Sequence, residues 1–120
     1  SILPSPQPIP QGFSLGKLNP LISDTRVTSI ECSGPGKFIL VKILGKVTTT
    51  RISLAAEEIM KTIENFSQYT RVPVMPGIFK AALGNLVITA VISEFVGSRF
   101  IINKYTPYMI LEQQPQAIYR

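Results

Sequence analysis

Hydrophobic positions along this chain fall into short runs separated by Gly, Pro and Asn, a pattern typical of strands joined by turns. Five of these runs are rich in β-branched residues, which favour an extended backbone. The predicted strands lie at residues 27–32, 37–44, 47–52, 86–92 and 99–105. The second run is apolar at nearly every position, so we expect it to lie inside the sheet.

One long segment has the periodicity of an amphipathic helix. Ile59, Ile63 and Phe66 recur at spacings of four and three, which places them on a single apolar stripe. Ser53 is expected to cap the amino end of this helix, because its hydroxyl can accept a hydrogen bond from a free N–H of the first turn. The helix is expected to end near Tyr69.

The order of these elements predicts an α+β fold, in which a mostly antiparallel sheet of about five strands packs one face against one main amphipathic helix. The run 78–83 is expected to form one or two helical turns. Prolines at every second position near the amino terminus favour an extended segment. We therefore divide the chain into a Pro-rich extended segment or linker at 1–17, an α+β interaction domain at 18–107 and a C-terminal segment at 108–120.

The composition excludes several kinds of active site. The 120 residues include no His and no Trp, and Cys32 is the sole cysteine. A His-based catalytic triad, a Cys/His zinc site and an internal disulfide are therefore excluded, and no metal is expected. The adjacent Glu57 and Glu58 would point in different directions on a helix, so they form no catalytic pair. We expect no catalytic residues in this chain and no enzyme activity from it alone.

The segment from Gly12 to Lys17 has the outline of a phosphate-binding loop but not its spacing. Three residues separate Gly12 from Gly16, whereas four are needed for successive N–H groups to curl around phosphates. Leu18 follows the lysine, where a Ser or Thr would hold Mg²⁺. A flexible linker is the expected structure here.

The charge balance favours anionic partners. Twelve basic residues against seven acidic ones give a net charge of +5. Lys37, Lys42 and Lys46 cluster around the first predicted hairpin, and Arg99 and Lys104 occupy the last predicted strand. One hypothesis is therefore a small basic nucleic-acid-binding protein, whose affinity should fall steeply with salt. A low-salt mobility-shift titration without any complex would dispose of this alternative.

Four segments of the chain lie, in order, at residues 18–24, 27–41, 76–83 and 97–104. Together they resemble the amino-terminal domain of the ATPases that drive type II and type IV secretion, pilus assembly and the archaeal flagellum. The last segment is similar to the G-x-x-F-x-I-R-K strand of that superfamily. Together with the predicted helix, the resemblance covers most of residues 18–107.

This resemblance implies a non-catalytic domain that contacts its own ATPase domain, neighbouring subunits of a hexamer and membrane-platform secretion proteins, and that moves relative to the motor. The chain would then be either one domain of a longer motor or a stand-alone relative that keeps the interaction surface. No cofactor is expected in this chain, because ATP would require the ATPase domain. The implied location is cytoplasmic, with peripheral contact at the inner face of the membrane as an option, and the single cysteine fits a reducing compartment.

The resemblance also implies positions for nucleotide contact. Members of the superfamily usually place two arginines toward the nucleotide phosphates, at positions that are Leu86 and Asn103 in this chain. Lys104 matches the pattern, and Arg99 lies close enough in sequence to substitute for a lost guanidinium. Because phosphate recognition depends on cations at fixed positions, these departures predict a weakened nucleotide contact that rests on Arg99 and Lys104.

Overall fold

Six antiparallel strands form one sheet in the computed structural model, which describes residues 9–105. The predicted C-terminal segment and the first eight residues of the Pro-rich segment lie outside this range. A 3₁₀ turn at Gly16–Leu18 and two helices complete the described chain. The remaining elements, in order, are α1 Asn19–Ser23, β1 Val27–Cys32, β2 Phe38–Ile43, β3 Lys46–Ser53, α2 Ala56–Thr70, β4 Gly77–Leu83, β5 Leu86–Ile92 and β6 Arg99–Lys104.

The sheet has the spatial order β3-β2-β1-β6-β5-β4, and every neighbouring pair is antiparallel. Two meanders of three strands each are therefore joined along β1 and β6 in the middle. The predicted α+β class and the antiparallel sheet are confirmed. The second predicted strand lies inside the sheet, since β2 is flanked by β1 and β3.

The predicted strand count was one too low, because the run 78–83 forms a strand and not a helical turn. Phe79, Ala81 and Leu83 of β4 are buried, and the residues between them are exposed. This period of two is that of a strand with one covered face. A turn at residues 84 and 85 joins β4 to β5, and Leu83 pairs with Leu86 at the start of the hairpin.

The core lies between α2 and one face of the sheet. Ile59, Ile63 and Phe66 form the buried stripe of α2, as the spacing predicts. A row of buried side chains crosses the four strands β1, β6, β5 and β4 opposite this helix. It consists of Ile30, Ile102, Ile88 and Ala81.

The helix α2 begins later than predicted, because β3 continues through Ser53. The N-cap position is occupied by Ala55, so the prediction of a Ser53 cap was wrong. Glu58 takes over part of the capping, since its carboxylate accepts a hydrogen bond of 2.8 Å from the Ala55 N–H. The helix ends at Thr70, where Arg71 adopts a left-handed conformation with φ of 63°.

Residues 10–18 form a strap that packs against α2. The ring of Phe13 makes edge contacts with Phe66 and Tyr69, at centroid distances of 5.3 and 5.5 Å. The Asn65 side chain donates a 2.7 Å hydrogen bond to the Ser14 carbonyl. The strap therefore contributes to the same hydrophobic core as the helix and the sheet.

The turn between α1 and β1 holds a carboxylate with a strongly lowered pKa. Two hydrogen bonds from the Arg26 guanidinium to the Asp24 carboxylate measure 3.1 and 2.8 Å, and the Arg26 N–H adds a third at 3.0 Å. These hydrogen bonds lower the pKa of Asp24 from 3.8 to about 2.

We expect a carboxyl NMR titration to find the Asp24 pKa near this low value and to find it higher in an Arg26→Gln variant, but still below the ordinary 3.8, because the backbone N–H of residue 26 remains as a donor. The pKa of Asp24 is lower in the folded protein than in the unfolded chain. The ionised carboxylate therefore stabilises the fold at pH values above the ordinary pKa, and this stabilisation is lost as the pH falls toward about 2. A Lys37→Gln variant, at the opposite end of β2 from this turn, should leave the titration unchanged. An ordinary Asp24 pKa in the unchanged protein would contradict the prediction.

Gly97 lies in the loop between β5 and β6 and packs closely against Pro35 of the β1–β2 turn. Its φ is 83°, and a Cβ atom placed there would lie 3.0 Å from Cδ of Pro35. A Gly97→Ala substitution should therefore cost about 1–2 kcal/mol for the left-handed backbone and about 1 kcal/mol more for the contact. Gly36→Ala is the matched control, because φ is 74° there and the added Cβ meets nothing within 4 Å. Equal losses in denaturant titrations of the two variants would contradict a role for the Pro35 contact.

Candidate functional site

One face of the sheet is covered by α2 and the strap, whereas no other described element covers the opposite face. We call this opposite surface the open face. Large apolar side chains are exposed on it, since Ile78, Val47 and Phe38 have 72%, 66% and 54% of their surface accessible. Even Ile101, on a central strand, is 38% exposed. An apolar surface of this kind is typical of a site that contacts another molecule.

The strand register orders the side chains across the open face. One row runs from Lys80 through Thr89, Ile101 and Glu31 to Leu40, which are successive partners on β4, β5, β6, β1 and β2. The row is apolar in places and is interrupted by single charges of both signs. Such a row can contact apolar and charged side chains of a partner at the same time. The row does not place two ionisable groups side by side for acid–base chemistry.

A shallow hollow of about 170 Å³ lies in the middle of the open face. Its walls include Glu31, Val91, Arg99 and Ile101. Glu31 pairs with Ile101, and Arg99 lies two residues before Ile101 on the same strand, so the carboxylate and the guanidinium are diagonal neighbours. The hollow is suited to one side chain of a partner flanked by charges of both signs.

The two predicted nucleotide-contact residues lie at opposite ends of β6. Arg99 pairs with Val91 and Lys104 pairs with Leu86, so about 17 Å of strand separates them. Their odd separation in sequence also directs them to opposite faces of the sheet. The structure therefore does not bring Arg99 and Lys104 together.

The ammonium group of Lys104 is engaged within the domain. It donates hydrogen bonds of 2.7, 2.8 and 2.8 Å to the carbonyls of Leu21, Ile22 and Asp24. These carbonyls lie at the carboxyl end of α1, where a helix has unsatisfied acceptors and a cation is favourable. Burial lowers the pKa of Lys104, and the negative charge of Asp24 opposes this effect. All three N–H donors of the lysine are thus occupied.

Leu86 and Asn103 occupy the two positions at which the superfamily that the sequence resembles usually has arginines, and their surroundings differ from each other. Leu86 is fully buried, so it presents no group to a ligand. Asn103 is half-buried and lies between Ser29 and Val87 in the sheet register. Of the residues that the resemblance implicates, Arg99 is the exposed cation.

Lys37, Lys42 and Lys46 do not form one patch. Lys37 precedes β2, and Lys42 lies near the other end of that strand, about 17 Å away. Lys46 begins β3 and pairs with Ile43, so it lies on the face opposite Lys42. The three exposed ammonium groups are spread along the β2–β3 hairpin, in contrast to the compact basic surface that the sequence suggests.

Sequence reasoning missed a cleft between the strap and α2. The cleft has a volume of about 560 Å³, and residues of the predicted flexible linker form one of its walls. Lys17 is fixed there, with its ammonium 3.1 Å from the Glu58 carboxylate and 3.2 Å from the Ser53 carbonyl. A hydrogen bond from the Ala55 N–H, with a further one from Lys17, lowers the pKa of Glu58. Lys17 therefore attaches the strap to α2 and to the end of β3.

A second missed feature lies at the end of the sheet where β5 leads to β6. Phe95 and Val96 project from this loop with 96% and 74% of their surface exposed. An apolar groove of about 420 Å³ lies beside them, with Met60, Val74 and Ile92 among its walls. The signal in the sequence was the pair of large apolar residues within a segment that separates two strands.

Within residues 9–105, no group of three His, Cys, Asp or Glu side chains is placed to hold a metal ion. No helix among these residues has both the length and the apolar character that crossing a membrane requires. The buried thiol of Cys32 has a raised pKa because of desolvation. This thiol is therefore poorly suited to act as a nucleophile.

Comparison with known proteins gives a structural match. No protein-family model matches the chain, and no curated protein matches it in sequence. Among solved structures, the fold is similar to that of the VirB11 ATPase from the Brucella suis type IV secretion system, which was crystallised with sulphate. The TM-score is 0.65 at 16% identity, and the match covers 74% of this chain but 29% of VirB11. The comparison confirms the secretion-ATPase-like fold that the sequence resemblance predicts.

Proposed function

We propose that this chain is a non-catalytic amino-terminal domain of a secretion or pilus-assembly ATPase, and that it acts in subunit and partner contact. The observation that supports this role is the similarity of fold to part of VirB11 over 74% of the chain. The ordered sequence motifs point to the same superfamily. The attached ATPase domain would bind ATP, and the chain would act on the cytoplasmic side of the membrane.

Two surfaces are available for these contacts. The open face offers exposed Ile78 and Ile101 together with the hollow between Glu31 and Arg99. The β5–β6 loop offers Phe95 beside an apolar groove. We assign the first surface to the neighbouring ATPase domain, with Arg99 as its nucleotide contact, because the donors of Lys104 are occupied. The loop surface would serve a neighbouring subunit or a membrane-platform protein.

The reading frame beyond codon 120 tests the first part of this proposal. A phosphate-binding loop encoded in the same frame is the expected result, with the pattern G-x-x-x-x-G-K-[ST]. The proposal of an attached motor would be wrong if the reading frame encodes no such loop. It would fail entirely if the chain also binds no separate ATPase.

The assembly of the complete protein tests the interaction role. We expect Phe95→Ser to weaken subunit or platform binding by about tenfold or more, because an exposed aromatic at an interface can contribute more than 1 kcal/mol. Leu44→Ser is the matched control, since Leu44 is 81% exposed at the opposite end of the sheet. Equal binding by both variants and the unchanged protein, measured by sedimentation, would contradict the assignment of the loop surface.

A further inference from the structure

β3 lies at one edge of the sheet that residues 9–105 form. β3 spans eight residues and pairs with β2 on one side, while no described strand pairs with its other side. In an antiparallel pair, alternate residues of such a strand turn their N–H and C=O groups outward. The carboxyl end of β3 is partly engaged, since the Ile52 N–H donates to the Thr50 hydroxyl and the Ser53 carbonyl accepts from Lys17. Residues 46–51 are therefore the stretch that a further strand can join, and its regular part is 46–49, because β3 bulges between Thr49 and Ser53.

The segment that forms this edge carries basic side chains and no acidic ones. Residues 33–56 contain Lys37, Lys42, Lys46 and Arg51 but no Asp or Glu. Lys46 and Arg51 lie on β3 itself, and Lys42 pairs with Val47 from the neighbouring strand. All four cations are exposed, and none of them has an ion-pair partner within residues 9–105. An incoming strand would thus meet a row of unpaired backbone groups framed by positive charge.

We propose that the outer edge of β3 binds an extended acidic segment of a partner protein, which adds to the sheet as a seventh strand. Backbone hydrogen bonds along 46–51 would supply affinity, as in other cases of strand addition. Acidic side chains of the segment would face Lys46 and Arg51. Val47 is 66% exposed on the open face and offers an apolar contact to the added strand there.

A second copy of this chain is a poorer occupant of the edge. Antiparallel pairing of two copies over the whole of 46–51 would place Lys46 of each copy opposite Arg51 of the other. Like charges directly opposite each other destabilise a strand pair. The other edge of the sheet differs as well, because β4 carries Lys80 as its sole cation and is packed against α2. This inference depends on the β3 edge alone and does not require the relation to a secretion ATPase.

The test is a titration of the purified chain with a capped peptide of valine and glutamate that matches β3 in length and carries glutamates on both faces of the strand, because Lys46 and Arg51 are an odd number of residues apart. We expect binding that slows the hydrogen exchange of alternate amides in 46–51 and that weakens as salt is added. A Lys46→Glu/Arg51→Glu variant should bind about tenfold more weakly or worse. The matched control is Lys61→Glu/Lys80→Glu, which has the same net charge and should bind like the unchanged protein. Thermal denaturation of both variants verifies their fold, and Lys46→Gln/Arg51→Gln replaces the first variant if it is unfolded.

Three outcomes would overturn the proposal. The first is the absence of binding by the glutamate peptide, or equal binding by a peptide with lysine in place of glutamate. The second is slow exchange of the edge amides in the free protein, which would mean that this chain already occupies its own edge. The third is that a single-stranded oligonucleotide binds to Lys42 and Lys46 more tightly than the glutamate peptide binds, without slowing the hydrogen exchange of the β3 amides. That result would indicate a nucleic-acid surface.

Discussion

Replacing Phe66 with alanine should lower the free energy of unfolding by about 3–5 kcal/mol, the range found for large aromatic residues in cores. Phe66 is fully buried on the core-facing stripe in the second half of α2. Its ring lies between the sheet and the strap, with the Phe13 ring centroid 5.3 Å away in an edge contact. The substitution leaves a cavity in the core where the ring contacted Phe13 and its neighbours, and a close-packed interior fills such a cavity only partly. Urea denaturation followed by circular dichroism measures the loss.

Phe13→Ala separates the contribution of the strap from that of the core. Phe13 is half-buried, so its loss should be smaller than that of Phe66. The double variant should show a coupling of about 0.5–1.5 kcal/mol between the two rings. A loss below about 1 kcal/mol for Phe66→Ala would contradict the packing of α2 described above. Strictly additive losses would mean that the ring contact itself contributes nothing.

The strands that were predicted best are those whose local pattern agrees with the tertiary structure. β5 alternates between buried and half-buried positions from Leu86 to Ile92, and β1 coincides with the β-branched run at 27–32. The α2 stripe was equally clear, because its three core residues keep helical spacing. In these segments the local preference and the global fold point to the same structure.

The run 78–83 shows where local pattern fails. Its alanines and leucine have high helix propensity, so propensity favoured a helical turn. The strand forms because every residue of β4 finds a partner on β5 across a tight turn. Pairing of this kind depends on the neighbouring strand, and propensity does not encode it. The cap of α2 was missed for a related reason, since pairing between Phe38 and Ser53 extends β3 to the residue predicted as the cap.

The candidate site was less predictable than the fold because its geometry depends on contacts that are distant in sequence. Alternation along the predicted strand could already have shown that Arg99 and Lys104 face opposite ways, but their surroundings could not be read in the same manner. The partners of Lys104 are 80 to 83 residues away, so no local pattern could reveal them. The same is true of the Lys17–Glu58 ion pair, which joins residues 41 positions apart.

The contacts of Lys104 lead to the second large effect. A Lys104→Met substitution should destabilise the fold by about 2–4 kcal/mol, since it removes three charge-assisted hydrogen bonds and leaves partly buried carbonyls without donors. The loss should be concentrated at α1, whose amides should exchange faster with solvent. Lys80→Met is the matched control, because Lys80 is exposed on β4, and surface changes of this kind fall within about 0.5 kcal/mol.

Lys104→Arg distinguishes the hydrogen bonds from the charge. The three carbonyls converge on one nitrogen, which a compact ammonium satisfies and a planar guanidinium does not. The arginine variant should therefore recover only part of the loss, although its charge is unchanged. Full recovery would show that the charge near Asp24 matters more than the geometry of the carbonyls. A Lys104→Met variant as stable as the Lys80→Met control would show that α1 does not depend on this lysine, and Lys104 would then be free to serve the nucleotide contact that the sequence pattern implies.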